Sequence, residues 1–245
     1  MAIVIKYPTT ATGEAGRMSG ETLARHAAGL RRQLFGMRSK PAEVEELAGK
    51  TRRLVINGRQ ICLSWDIEHE LEDHYGKPVL GICDVDPDAP DTVMISINGP
   101  RLVDRPGVFR STAVHELAHA IFDMPAVLGK SRKAFQASVE AATVRGAPID
   151  WTEWRADAFM GAFLVPFDRL ARAIAKEAGA LGIPFRWRSA PSGLPVPFLD
   201  VDPNAEAVGW LIDLLAEIFG VTPAFIAVRL KKAGLVGRQR AIHGR

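Results

Sequence analysis

The chain has 245 residues, with 31 Lys and Arg against 28 Asp and Glu, for a formal net charge of +3. Apolar residues at 47% and charged residues at 24% exclude a disordered or fibrous chain and imply one large domain, or one domain with a small appendage. Two cysteines, Cys62 and Cys83, are too few for a disulfide scaffold and too far apart for a paired-thiol metal site, which points to a reducing compartment.

No stretch comes near the roughly 18 uninterrupted apolar residues of a membrane span, since even Val208 to Phe219 contains Asp213 and Glu217. Ala2 to Ile5 is too short for the apolar region of a signal peptide, so a cytoplasmic protein without membrane contact is expected. Residues 8 to 20, rich in Thr, Gly, Ala and Ser, show no apolar period, and 1–20 is expected to be a flexible N-terminal segment. Helical spacing of Leu23, Ala27, Leu30 and Leu34 predicts a helix over Glu21 to Phe35, and Pro41 to Leu47 starts a second, with Glu43, Glu45 and Glu46 near its positive end. Leu54 to Trp65 is apolar and β-branched around Asn57-Gly58, the pattern of two short strands joined by a tight turn.

Glu68 to His74 reads as an exposed charged turn, and Val79 to Cys83 and Val93 to Ile97 as two further strands around a turn rich in Asp and Pro. Helices are expected over Val108 to Phe122, about Lys130 to Thr143, Trp151 to Leu164 and Leu170 to Ala180. Residues 183–204 carry Pro184, Pro191, Pro195, Pro197 and Pro203 and predict an irregular loop or linker. Ala205 to Phe219 and Pro223 to Ala233 predict a helical hairpin, with Thr222 as N-cap, Pro223 at the first helical position and Gly234 at the stop. The expected organisation is a main α+β domain over 21–182, the 183–204 linker, and a hairpin with a basic tail over 205–245.

The sharpest chemical signal is His115-Glu116-Leu117-Ala118-His119. Residues four apart on a helix lie about 40° from each other round the axis, so both imidazoles can reach one metal ion. Glu116, beside that ion, would take a proton from water whose pKa the ion has lowered and pass it to a leaving amine. The plain alternative is a surface helix that carries two histidines. Against it, Val114, Leu117, Ala118, Ile121 and Phe122 make the helix apolar and so buried, and burying two imidazoles and a carboxylate without a partner costs several kcal/mol.

A catalytic zinc needs a third protein ligand and an open position. The pattern with a third histidine six residues after the second fails here, because Pro125 stands at that position and Phe122 replaces the expected glycine. Asp123 lies too far along the same helix to be a ligand and suits a supporting or surface position. Glu153 and Glu140 remain. Asp157 follows Glu153 by four and could hold the far nitrogen of a ligand histidine, whereas Val144 stands at the matching position after Glu140. That support favours Glu153.

Phe109 through Ala120, the strand before it, and Glu153-Trp154-Arg155-Ala156-Asp157-Ala158-Phe159-Met160 through Leu164-Val165-Pro166 together resemble the ImmA/IrrE family of zinc peptidases. Asp157 and Val165 stand where that family often has Asn and Met. The resemblance covers about residues 50 to 170, and the hairpin 205 to 235 is similar to the family's tail. It implies a small gluzincin-type fold, a bound Zn2+, and an endopeptidase that cuts a regulatory protein, usually a DNA-binding repressor. The competing class is a non-catalytic zinc-binding module that holds a repressor or nucleic acid. For a donor that stabilises the developing oxyanion, the candidates are His74, Tyr75, Arg110 and His243.

His69 and His74 are five apart, about 140° round a helix, and cannot share an ion from one helix. Arg186-Trp187-Arg188 with Phe185 and Phe198 could grip a peptide or nucleic acid, but a surface loop anchored by its own aromatics is the simpler account. The first turn Pro223-Ala224-Phe225-Ile226-Ala227 offers no polar or basic residue to read bases, so sequence-specific DNA binding is not expected. From Arg229 on, six basic residues and no acidic one accumulate, leaving 25 basic against 28 acidic residues in the rest of the chain. The basic excess belongs to the tail.

Overall fold

The computed structural model describes residues 3–37, 40–86, 88–89, 91–128, 135–137, 150–190, 193 and 195–237. The chain divides into two compact units, Met1–Leu164 and Val165–Arg245. The division falls after Leu164, so the helix over Leu170 to Ala180, expected in the main domain, belongs with the C-terminal unit.

In the first unit the elements follow in chain order as β1 (Ile3–Ile5), α1 (Gly20–Phe35), α2 (Val44–Thr51), β2 (Arg53–Ile56), β3 (Arg59–Asp66), β4 (Gly81–Val85), β5 (Thr92–Ile97), α3 (Gly99–Leu102), α4 (Pro106–Phe122), α5 (Met124–Val127), β6 (Phe135–Ala137) and α6 (Trp151–Leu164). The strands form one mixed sheet in the order β1-β2-β3-β5-β4-β6, which makes the unit α+β. The β2–β3 hairpin turns on Asn57 at φ 50° and Gly58 at φ 86°, the left-handed pair that a two-residue turn requires. Helix α4 lies against β4 and β5 and packs on α6, which in turn packs on α1. Every residue of α4 from Thr112 to Phe122 is buried, as expected for a helix apolar on all sides.

Two expectations change here. The N-terminal segment is not a free lead-in: β1 pairs in parallel with β2, and buried Tyr7 donates its hydroxyl to the Ile121 carbonyl at 2.7 Å and its backbone N–H to Asn57 Oδ1 at 2.9 Å. Three apolar residues before Lys6 are enough for a strand once the sheet offers an edge. The helix expected over 130–143 falls largely outside the described residues, and the three described within it, Phe135–Ala137, are strand β6, antiparallel to β4.

The second unit contains α7 (Phe167–Ala180), β7 (Phe185–Ser189), β8 (Pro195–Leu199), α8 (Glu206–Phe219) and α9 (Pro223–Lys232). The 183–204 segment, expected to be irregular, holds the antiparallel β7–β8 ribbon. Its prolines do not break the ribbon because Pro195, Pro197 and Leu199 alternate onto one edge. Leu199 N–H on that edge donates to the Leu235 carbonyl at 2.8 Å rather than to β7, so the ladder loses no donor at the prolines. Helix α7 packs on α8 and β8, and α8 on α9. The turn between α8 and α9 passes through Gly220 at φ 65°, and Thr222 caps α9 by accepting from Phe225 N–H at 3.2 Å. Among the described residues no single helix is long and apolar enough to cross a membrane. Helices α8 and α9 meet that length and composition only as a pair bent by 104°.

Candidate functional site

Helix α4 supplies His115, Glu116 and His119, and α6 supplies Glu153 and Asp157. The start of α6 is fixed by Asp150, whose Oδ1 accepts from Thr152 N–H at 2.9 Å and Thr152 Oγ1 at 2.6 Å, an arrangement typical of helix capping. That cap places Glu153 in the first turn, facing α4.

The three residues singled out as ligands converge. His115 Nε2 and His119 Nε2 are 3.1 Å apart, His115 Nε2 lies 3.2 Å from Glu153 Oε2, and His119 Nε2 lies 3.4 Å from Glu153 Oε1. Two ligands each about 2.1 Å from a tetrahedral ion stand about 3.4 Å apart, so these separations have the size of the edges of a metal's coordination shell. The far nitrogens are also engaged: His115 Nδ1 lies 3.4 Å from Asp157 Oδ1, and His119 Nδ1 lies 2.9 Å from Asp123 Oδ2. An ionised carboxylate only accepts, so both Nδ1 atoms donate, and each ring, once its other proton leaves, would present an Nε2 lone pair to the same point as the Glu153 oxygens. Those donors repel one another unless a cation stands among them. The residues therefore fit a metal ion, and among the described residues this is the group that could hold one.

His119 is fully buried and His115 nearly so, while Glu153 keeps 43% of its side-chain surface exposed. The metal-free chain answers the crowding by holding protons. Burial opposes charge on His115, but hydrogen bonds to Asp157 and Glu153 and the Glu116 charge outweigh it and raise its pKa to about 10. His119 is raised to about 9, again against burial, by its hydrogen bonds to Asp123 and Glu153 and by the Glu116 charge. The same two histidines hold the Glu153 carboxyl well below the usual range.

Glu116 is completely buried on the face of α4 that meets β4. The contact is close: a Cβ built on Gly81 would stand 2.7 Å from Thr112 Cγ2 and 2.9 Å from both Glu116 Cγ and Glu116 Oε1. Gly81 is thus the residue that lets the Glu116 side chain lie along β4, and nothing in its sequence context marks it.

Asp123, which the sequence left between a supporting and a surface position, is buried and supports His119. Its second oxygen accepts from Arg155 Nη2, a partner that spacing alone did not reveal. Glu140, the alternative third ligand, and Val144 lie outside the described residues, as does His243. Arg110 pairs with Glu43 at 2.7 Å in a cleft of about 630 Å3 whose lining does not include the three ligands. His74 and Tyr75 lie against each other, tilted by 43° with ring centroids 3.7 Å apart, and Tyr75 is 79% exposed. His69 pairs with Asp66 at 3.0 Å on the surface, as a solvated charged turn should. In the second unit the Arg186 and Arg188 guanidiniums lie over the Phe198 ring, so the basic-aromatic run does anchor itself.

Compared with known proteins, the chain matches no protein-family model and no curated protein.

Proposed function

We propose that the protein is a zinc-dependent endopeptidase with His115, His119 and Glu153 as metal ligands and Glu116 as general base and acid. The observation that carries this reading is the convergence of two Nε2 atoms and a carboxylate on one point, with each Nδ1 held by a carboxylate and a fourth carboxylate, Glu116, on the adjoining helix face. Two imidazoles and one glutamate form a donor set suited to zinc. When bound, the ion supplies Lewis-acid chemistry, lowering the pKa of water and polarising a carbonyl.

The chain's own residues divide the remaining work. Asp157 and Asp123 fix the tautomer of the ligand histidines. Glu116, neighbour to His115 and shut off from bulk water, accepts the proton of the attacking water and returns it to the departing nitrogen. The partly exposed Glu153 marks the side open to substrate. The resemblance to ImmA/IrrE peptidases, not the geometry, supports a regulatory protein such as a DNA-binding repressor as the substrate inside the cell. Cys62 and Cys83 are both free thiols, which accords with a reducing compartment.

The test is metal content and cleavage of candidate repressor proteins by wild type and by Glu116→Gln. The variant is expected to retain about one zinc per chain and lose cleavage. Equal activity in the two would overturn the mechanism, and undiminished zinc in His115→Ala would overturn the site.

A further inference from the structure

The Asp123 carboxylate stands between two donors. Oδ2 accepts from His119 Nδ1 at 2.9 Å and Oδ1 accepts from Arg155 Nη2, with Asp123 and Arg155 side chains exposing only 6% and 11% of their surface. Arg155 follows Glu153 by two on α6, so one helix delivers both the third ligand and this clamp. The other amino group of the guanidinium, Nη1, donates to the Ala15 carbonyl at 3.5 Å, and its Cζ lies 5.9 Å from the centroid of the Phe122 ring. Ala15 is itself held by its pairing with Thr9, a few residues beyond the Tyr7 anchor on Ile121.

On the reading of His115, His119 and Glu153 as metal ligands, we propose that Arg155 is a positioning residue of the metal centre: it locks the Asp123 carboxylate, which in turn locks the ring of His119. A carboxylate's terminal torsion is soft, and one hydrogen bond from an imidazole leaves it free to swing. A second donor on the opposite oxygen removes that freedom, and the rigid fork of a guanidinium can do so while its other arm is tied to Ala15. A lysine ammonium keeps the charge but lacks that planar fork. The other histidine is supported differently, since Asp157 is 53% exposed and stands 3.4 Å from His115 Nδ1. His119 is the firmly held ligand of the pair.

The experiment uses the full chain stripped of metal and titrated with Co2+, reading affinity by competition with a chromophoric chelator and coordination by the visible Co2+ bands. It compares wild type with Arg155→Gln, Arg155→Lys and His115→Ala, each checked for folding by circular dichroism. Arg155→Gln is expected to weaken Co2+ binding by about 10- to 100-fold and to alter the band shape, with Arg155→Lys recovering part of both. An ion pair that merely joins two helices would lower the melting temperature and leave both readouts untouched, so wild-type affinity and bands in folded Arg155→Gln overturn the proposal. Should Arg155→Gln not fold, Arg155→Lys decides on the same readouts. If wild type takes up no Co2+, or His115→Ala takes up as much, the metal centre itself is refuted and the positioning role with it.

Discussion

Replacing Gly81 by alanine tests whether Glu116 is placed by the strand beneath it. Gly81 is paired with Ile97 on β5 and with Ala137 on β6, so its backbone cannot retreat without disturbing two ladders. The added methyl would meet Thr112 Cγ2 at 2.7 Å and Glu116 Cγ and Oε1 at 2.9 Å, where comfortable carbon contacts are about 3.5 to 4.0 Å. Thr112 and Glu116 are four apart on α4 and both are struck, so relief requires either a shift of the helix or rotation of both side chains, which moves Glu116 by close to 1 Å. Overpacking of this kind costs about 1 to 3 kcal/mol, which for a chain of this size lowers the melting temperature by roughly 2 to 12 °C. A catalytic group displaced by about 1 Å loses on the order of 100-fold in turnover, while no ligand atom is touched. Thermal melts, metal analysis and turnover on quenched fluorescent peptides should therefore show a modest loss of stability, about one metal per chain and turnover down by about two decades. Wild-type turnover and melting temperature in Gly81→Ala would refute this account, and loss of metal in place of turnover would mean that β4 supports the ligands instead of the base.

The remaining predictions concern the ligands and their supports. With His115 raised to about 10 and His119 to about 9, the metal-free pair holds at least one proton at pH 7, and metal uptake must release it. Affinity should rise with pH until the region of 9 to 10, and titration calorimetry in buffers of different ionisation enthalpy should give different heats; buffer-independent heats would refute the assignment. Because both pKa values are raised, their contribution to metal-free stability is present below the unfolded value of about 6.5 and is lost as pH rises through 9 to 10, which pH-dependent melts of the stripped protein can follow. Tyr7→Phe removes a buried hydrogen bond to Ile121 and should cost about 1 to 2 kcal/mol, a fall of roughly 2 to 8 °C in melting temperature, whereas a melting temperature equal to wild type would show that the N-terminal segment contributes nothing to the fold.

What could be read in the sequence was set by separation along the chain. His115 and His119, and Glu153 and Asp157, are i,i+4 pairs whose common helix face follows from the helix period alone, and the structure joins all four. The Asn57-Gly58 turn and the Thr222 cap are equally local, and both stand. The errors came where a partner far along the chain supplies the missing energy. Ile3–Ile5 has too few apolar residues to be a strand alone, yet becomes one against Leu54 to Ile56. The prolines at 195 and 197 read as an irregular loop until the ribbon sets them on the edge that β7 does not bond. The support of His119 by Asp123 is itself an i,i+4 contact, but the partner of its second oxygen, Arg155, lies 32 residues on, and Arg155 in turn touches Ala15 across 140 residues.

The same distinction separates the centre's chemistry from its tuning. A helix period brings two imidazoles to an ion, but it leaves their rings free to turn, and a ligand that turns gives an ill-defined site. The ring of His119 is fixed by a chain of contacts that runs through Asp123 and Arg155 to an N-terminal turn that composition alone read as a flexible segment. Its anchor on Ile121, two residues beyond His119, ties that turn to the same end of α4. Truncating the first 17 residues should therefore weaken metal binding as well as stability, and a truncated protein that folds and binds Co2+ at wild-type affinity would confine the support of His119 to Asp123 and Arg155 themselves.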